Sequence, residues 1–290
     1  MPSPIVYLNG RYMSIERASL PITDQGVLYG HGVFDTMRAY DGVVFRLGDH
    51  LDRLIANTDS FGIAIRGQRE AIAGAIAGVL SRNRLREARI RVTVTAGSGG
   101  DGPVFPAKGS PNVFVTCAEL PPGLEKVARS GYTAIFASVR RSSTSRAARV
   151  KATSYVEHLM ARAEARESGA DEALLLNEQG DVAEGATSNI FFVRRGTLYT
   201  PSLGCGILPG VTRKTVLELA RSTERRVHEG KLLRWALLLA EEAFLTNAVI
   251  EVMPLVEVDG RPIGGGNPGP VTRELQKAYT RQVREETGRR

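Results

Sequence analysis

One lysine stands out by its setting. Lys151 closes an arginine-rich, irregular run, Arg140 to Val150, and stands just ahead of a helix that Thr153 or Ser154 would open. The chain writes its cations almost wholly as arginine: of 38 basic residues, six are lysines, at 108, 126, 151, 214, 231 and 277. As surface charges the two types are interchangeable, but a guanidinium does not give up its proton to attack a carbonyl and an ammonium can. A lysine kept against that bias is a candidate nucleophilic amine; the alternative is one retained by chance.

Downstream lie parts that could serve such an amine. Ser154 to Glu157 reads S-x-x-E, a capping box, and the helix behind it runs through Leu159, Met160 and Ala163 to a stop at Gly169. A strand over Ala173 to Asn177 and a turn at Gly180 lead to Val182-Ala-Glu-Gly-Ala-Thr-Ser-Asn-Ile-Phe-Phe. Glu184 there is either a solvated turn residue or a buried anion with a cationic partner.

Together these segments resemble the class IV (fold type IV) pyridoxal-phosphate aminotransferases, a family that includes branched-chain and D-amino-acid aminotransferases and aminodeoxychorismate lyases. The resemblance runs from Val6-Tyr-Leu-Asn-Gly to the final helix. Lys151, Glu184-Gly-Ala-Thr-Ser-Asn-Ile-Phe, Leu208-Pro-Gly-Val-Thr-Arg213 and His50-x-x-Arg53-Leu54 carry it, in the family's order and spacing. It implies an α/β (α+β) fold of two domains: a smaller N-terminal α/β domain over 1–118, a linker over 119–129, and a larger cofactor-binding domain over 130–290 with a barrel-like sheet.

Pyridoxal 5'-phosphate needs a lysine for its Schiff base, a group that keeps its pyridine nitrogen protonated and a site for its phosphate. By resemblance Lys151 is the catalytic lysine, later moving the substrate's proton, and Glu184 pairs with the ring nitrogen, raising its pKa. Val211 and Thr212 open a helix whose unpaired N–H groups favour a phosphate, and Thr212 adds a hydroxyl. The resemblance also makes Arg53 a phosphate ligand with a guanidinium fork, sets Leu208 on the ring and Tyr155 near the phenolic oxygen, and places Asn247 and Ala248 beside the cofactor. Tyr29, Phe34, Thr36 and Arg91 fall at the substrate pocket.

Composition fits this reading. The 290 residues are 42% hydrophobic, enough for a large core and two domains. The net charge of +7 is dispersed among acids; only Arg140, Arg141, Arg146 and Arg149 cluster, and no aromatics are interleaved with them, which speaks against nucleic acid. Two cysteines make no disulfide framework, and four histidines show no metal-ligand spacing. Gly97-Ser-Gly-Gly-Asp-Gly102 matches G-x-G-x-x-G, yet prolines follow it where a helix would be needed, so it reads as a loop. With no signal or membrane-spanning pattern, a cytoplasmic protein is expected.

Turn chemistry and periodicity supply the frame. Hairpins are expected at 5–14 around Asn9-Gly10 and at 33–46 around Asp41-Gly42. Helices are expected near 49–62, 68–82, 153–168, 211–222, 231–240 and 270–286. Further strands fall near 88–96, 112–118, 132–139, 172–177, 188–194, 242–246 and 250–258.

Within the family, Tyr29, Phe34 and Arg91 favour a transaminase acting on apolar L-amino acids, branched-chain or other, with a 2-oxo acid such as 2-oxoglutarate as acceptor. Thr36 and Ala248 depart from the branched-chain pattern. With Thr246-Asn247-Ala248 they resemble the lyase, which releases pyruvate from aminodeoxychorismate to give 4-aminobenzoate. A D-amino-acid transaminase would need an arginine where Ala96 stands and a tyrosine where Val27 stands, and ranks third alongside an (R)-amine transaminase. The resemblance also implies a homodimer.

Overall fold

The computed structural model describes residues 3–65, 67–99, 102–103 and 105–289. The chain separates into two compact units. One holds residues 1–120, 150–155 and 283–290, and the other 121–149 and 156–282.

The first unit is a six-stranded antiparallel sheet in the order β2-β1-β6-β5-β3-β4. Its strands are β1 (Ile5–Leu8), β2 (Arg11–Ser14), β3 (Gly32–Tyr40), β4 (Val43–Val44), β5 (Ala88–Thr95) and β6 (Asn112–Glu119). A short α1 (Gln25–Tyr29) precedes β3, and α2 (Leu47–Ser60) and α3 (Arg69–Asn83) join β4 to β5. Alternation along β3 and β5 sends Val33, Met37, Ile90, Val92 and Val94 into a core shared with Leu51 and Leu54 of α2 and Ile72, Ile76 and Val79 of α3. Each such side chain contributes roughly 1.5 to 3 kcal/mol of burial.

The second unit holds α4 (Leu124–Ser130), β7 (Tyr132–Arg141), α5 (Val156–Glu167), β8 (Glu172–Asn177), β9 (Val182–Gly185), β10 (Asn189–Arg194) and β11 (Thr197–Pro201). It continues with α6 (Val211–Ser222), β12 (Val227–Gly230), α7 (Arg234–Leu238), β13 (Glu242–Asn247), β14 (Glu251–Val258), β15 (Arg261–Pro262) and α8 (Pro270–Thr287), whose last turn belongs to the first unit. Its mixed sheet runs β12-β11-β10-β13-β14-β7-β8-β9, with β15 on β14. β9, at one end of that order, comes back against β10 and β11, so the sheet curls into a half-barrel.

Several expectations change. The second strand of the 33–46 hairpin is two residues long, because Phe45 turns into the core and Arg46 leads into α2 with φ +53°. The expected linker holds α4 after Pro121-Pro122-Gly123. The helix after Lys151 begins at Val156, since the Thr153 N–H donates to Gly32 O and its hydroxyl to Gly30 O, both at 2.9 Å, which draws the segment into extended pairing. The same pairing puts residues 150–155 in the first unit, whereas Lys151 was expected in the second domain. α7 spans five residues instead of ten. β9, β11, β12 and β15 were missed: all are short, and β9 is buried throughout, so it shows no alternation. In the 97–102 loop, Gly100 and Asp101 lie outside the described residues.

Candidate active site

The first unit places its chemistry on β3 and on the segment that pairs with it. The Phe34 N–H donates to Lys151 O at 2.8 Å, and Val33 and Ala152 form an antiparallel bridge. Gly32 permits this approach: a Cβ there would lie 2.8 Å from Val94 O and 2.9 Å from Thr153 Oγ1. The Lys151 Nζ stands 4.7 Å from the centre of the Phe34 ring, the Arg91 guanidinium 3.6 Å from it, and Tyr155 meets it edge-on at 5.5 Å. Both cations are drawn to the ring by its quadrupole. Thr36 is the cross-strand partner of Arg91, and Phe34 that of Thr93, so all four share one sheet face. Partial desolvation lowers the Arg91 pKa; Tyr155 opposes that shift and Arg89 adds to it. Tyr29, at the end of α1, is half exposed.

On the opposite face of β3, Asp35 is fully buried. Its Oδ2 accepts Arg53 Nε and its Oδ1 accepts Arg53 Nη2, both at 2.8 Å, and His50 Nδ1 lies 2.8 Å from Oδ1. Burial alone would raise the Asp35 pKa, but Arg53 and His50 hold it well below the usual carboxylate range. The fork of Arg53 expected for a phosphate is thus engaged with Asp35. The sequence reading had His50 and Arg53 in a motif but passed over Asp35, although an acid in phase with Val33 and Met37, on the core-facing positions of an apolar strand, was a visible signal.

In the second unit Glu184 is 4% exposed, which settles its two readings in favour of the buried anion. Its Oε1 lies 3.2 Å from Arg141 Nη2, and its Oε2 accepts the Leu208 N–H at 2.9 Å and Asn189 Nδ2 at 3.3 Å. Asn189 also donates to Leu208 O at 3.0 Å. Gly210, whose Cβ would fall 2.1 Å from Asn189 Oδ1, lets the chain pass from Leu208 into α6. α6 begins at Val211 with no side-chain cap, and Thr212 is buried in its first turn, so the helix start suits an anion. Asn247 spends its side chain on the local turn, accepting the Val249 and Ile250 N–H groups at 2.8 and 2.9 Å and donating to Thr187 O at 3.1 Å. Ala248 has only its backbone to offer a ligand. Arg141 had been noted only as part of a basic cluster, and Asn189 had been given no part.

Among the described residues no group of three or more His, Cys, Asp or Glu could hold a metal, and no helix is long and apolar enough to cross a membrane. Within the second unit, the buried carboxylate of Glu184 with its fixed direction and the uncapped start of α6 suit the pyridine nitrogen and the phosphate of a phosphorylated pyridine.

The comparisons agree. The family model for amino-transferase class IV matches residues 32–258. A branched-chain-amino-acid aminotransferase of Pseudomonas aeruginosa is 35% identical over 288 residues, covering 95% of this chain and 91% of that protein. An aminodeoxychorismate lyase of Bacillus subtilis is 33% identical over 282 residues, covering 97% and 95%. The branched-chain amino acid aminotransferase of Escherichia coli superposes with a TM-score of 0.92 at 30% identity, covering 99% of this chain and 96% of that one. Another solved branched-chain aminotransferase, complexed with N-(5'-phosphopyridoxyl)-L-glutamate, gives a TM-score of 0.90 at 32% identity over 100% and 96% of the two chains. Family, fold and residue chemistry meet on one conclusion: the chain belongs to the class IV aminotransferases and is a pyridoxal-phosphate enzyme that transfers amino groups.

Proposed function

We propose that the enzyme takes its amino group from L-amino acids with apolar side chains, branched-chain ones included, and passes it to a 2-oxo acid such as 2-oxoglutarate. The observation that carries this reading is the Arg91 guanidinium, a receiver for a carboxylate, held 3.6 Å over the buried ring of Phe34 beside the Lys151 amine. The 35% identity to the Pseudomonas aeruginosa aminotransferase supports it.

When bound, pyridoxal phosphate supplies an aldehyde that takes up the amino group and a ring that draws electrons from the Cα–H bond. Lys151 Nζ would hold the cofactor's aldehyde carbon and would carry the substrate's Cα proton. Phe34, whose ring centre lies 4.7 Å from that amine, would wall one side of its approach. Glu184 holds the proton at the ring nitrogen. The N–H groups of Val211 and Thr212 and the Thr212 hydroxyl receive the phosphate. Arg53, its Nε and Nη2 held by Asp35, would add positive charge for the phosphate. Leu208 would pack on the ring and Tyr155 would donate to the phenolic oxygen. Asn247 and Ala248 line the cofactor with main chain, and Tyr29, Thr36 and Arg91 face the substrate. We further propose a cytoplasmic homodimer.

A second reading has its own support. Thr36 and the Thr246-Asn247-Ala248 segment resemble the lyases, and the Bacillus subtilis lyase is 33% identical. That enzyme class eliminates pyruvate and needs no amino acceptor. The deciding experiment is the visible spectrum of the purified protein with L-leucine and no acceptor. A band that disappears and returns with 2-oxoglutarate supports the transaminase on apolar substrates. A band indifferent to amino acids, with pyruvate released from aminodeoxychorismate, overturns it in favour of the lyase.

A further inference from the structure

A carboxylate shut away from water keeps its proton unless a cation stands beside it. Beside Glu184 stands Arg141, its side chain 10% exposed and its Nη2 3.2 Å from Oε1. Arg141 is itself fixed on every edge. Its Nε–H donates to Gly206 O at 3.3 Å, Nη2 donates to Ala148 O, and Nη1 donates to His158 Nε2 at 3.1 Å. The state of that imidazole follows from its neighbours. The Ala186 carbonyl, 2.9 Å from Nδ1, can only accept, and a guanidinium can only donate. Nδ1 therefore carries the hydrogen, Nε2 offers its lone pair, and His158 is neutral. On the other side of the carboxylate, Leu208 and Asn189 hold Oε2.

We propose that Arg141 is a positioning residue that determines where the proton shared by Glu184 and the cofactor's ring nitrogen rests. The proposal rests on the reading of Glu184 as the partner of that nitrogen. A carboxyl group facing a pyridine nitrogen in a poorly solvated site has two arrangements: acid with neutral ring, or carboxylate with pyridinium. Without compensation the uncharged pair is favoured, because both charges of the other are poorly solvated. A guanidinium in contact with the carboxylate changes the balance. Its attraction acts on the adjacent oxygen, whereas its repulsion acts on a nitrogen farther away, since two donors on one carboxylate keep apart. The ionic pair wins, and the ring keeps its full electron-withdrawing power. The neutral His158 matters here: it takes up one edge of Arg141 and adds no second positive charge beside the carboxylate.

The test is the 15N resonance of pyridine-labelled pyridoxal phosphate bound to the full chain. It reports the protonation of the bound nitrogen whatever the occupancy or turnover. In the wild type it is expected in the pyridinium range. Arg141→Lys, which keeps the charge, leaves it there, and Arg141→Gln, which keeps an N–H donor without the charge, moves it toward neutral pyridine. Glu184→Gln separates the two layers of the argument. If that variant leaves the resonance in place, the reading of Glu184 fails; if it moves the resonance and Arg141→Gln does not, the inference about Arg141 fails alone. Should Arg141→Gln not fold, the wild type and Arg141→Lys still decide, because a neutral-pyridine resonance in either overturns the proposal.

Discussion

The backbone N–H of Phe34 donates to the carbonyl of Lys151 at 2.8 Å, so the amine and the aromatic ring beneath it are carried by paired strands. The position of the lysine is thereby a property of main-chain hydrogen bonding, and its side chain is dispensable for the fold.

Lys151→Ala should accordingly lose turnover and the visible absorbance of bound cofactor while its unfolding free energy stays within about 1 kcal/mol of the parent. Absorbance spectra and urea titration measure the two halves. A variant that still transaminates without an added amine would remove Lys151 from the chemistry.

Gly32→Ala tests the pairing itself. The new methyl would press on the Val94 carbonyl and the Thr153 hydroxyl, neither of which can yield without moving β5 or the lysine segment. Overpacking of this kind costs roughly 1 to 3 kcal/mol, and a displacement near 1 Å at the reacting amine costs on the order of a hundredfold in kcat. Thermal melting and steady-state kinetics should show both effects.

Asp35→Asn leaves Arg53 and His50 buried without their anion, and a loss of roughly 3 to 5 kcal/mol is expected at neutral pH. The pH dependence has a definite sign. The folded Asp35 pKa lies below its unfolded value, so its contribution is fully present above about pH 4 to 5 and is lost as pH falls toward the folded pKa. Urea midpoints for the two proteins should stay a constant distance apart from pH 8 to about 5 and converge in stronger acid. A gap that instead closes on the alkaline side contradicts the assignment.

Thr36→Gly separates the two chemistries proposed for the site. A transaminase should keep kcat within a few-fold, since Thr36 lies opposite Arg91 and in the proposed reading only borders the substrate. An elimination that depends on the hydroxyl should slow by a hundredfold or so, the usual scale for a lost proton carrier. Parallel assays of amino transfer and pyruvate release measure this.

Local signals carried much of the frame. Asn9-Gly10 fixed a hairpin whose strands end where the turn chemistry says they should, and α6 opens at Val211 behind the glycine that lets it. What stayed hidden was held by pairing across long separations. Asp35 looks like an interruption of an apolar strand until α2 brings His50 and Arg53 against it. Arg141 reads as one of several loop arginines, yet it alone of that cluster is buried, because β7 carries it beside a carboxylate forty-three residues away. Thr153 looks like a helix cap because nothing local reveals that the carbonyls of Gly30 and Gly32 take its hydroxyl and its N–H.

The scattered make-up of the first unit has a consequence for how the protein is made. Residues 1–120 leave the ribosome long before 283–290, and at usual elongation rates the interval is on the order of ten to thirty seconds. Until Lys151 to Thr153 arrive, the half of β3 that will receive them is an open sheet edge, and such edges recruit other chains. Arg46 waits longer still, since its partner Glu286 is translated well after the lysine segment. The nascent chain is therefore most vulnerable to aggregation after its first sheet has formed and before the lysine has docked, a window that a chaperone able to hold an exposed strand would cover.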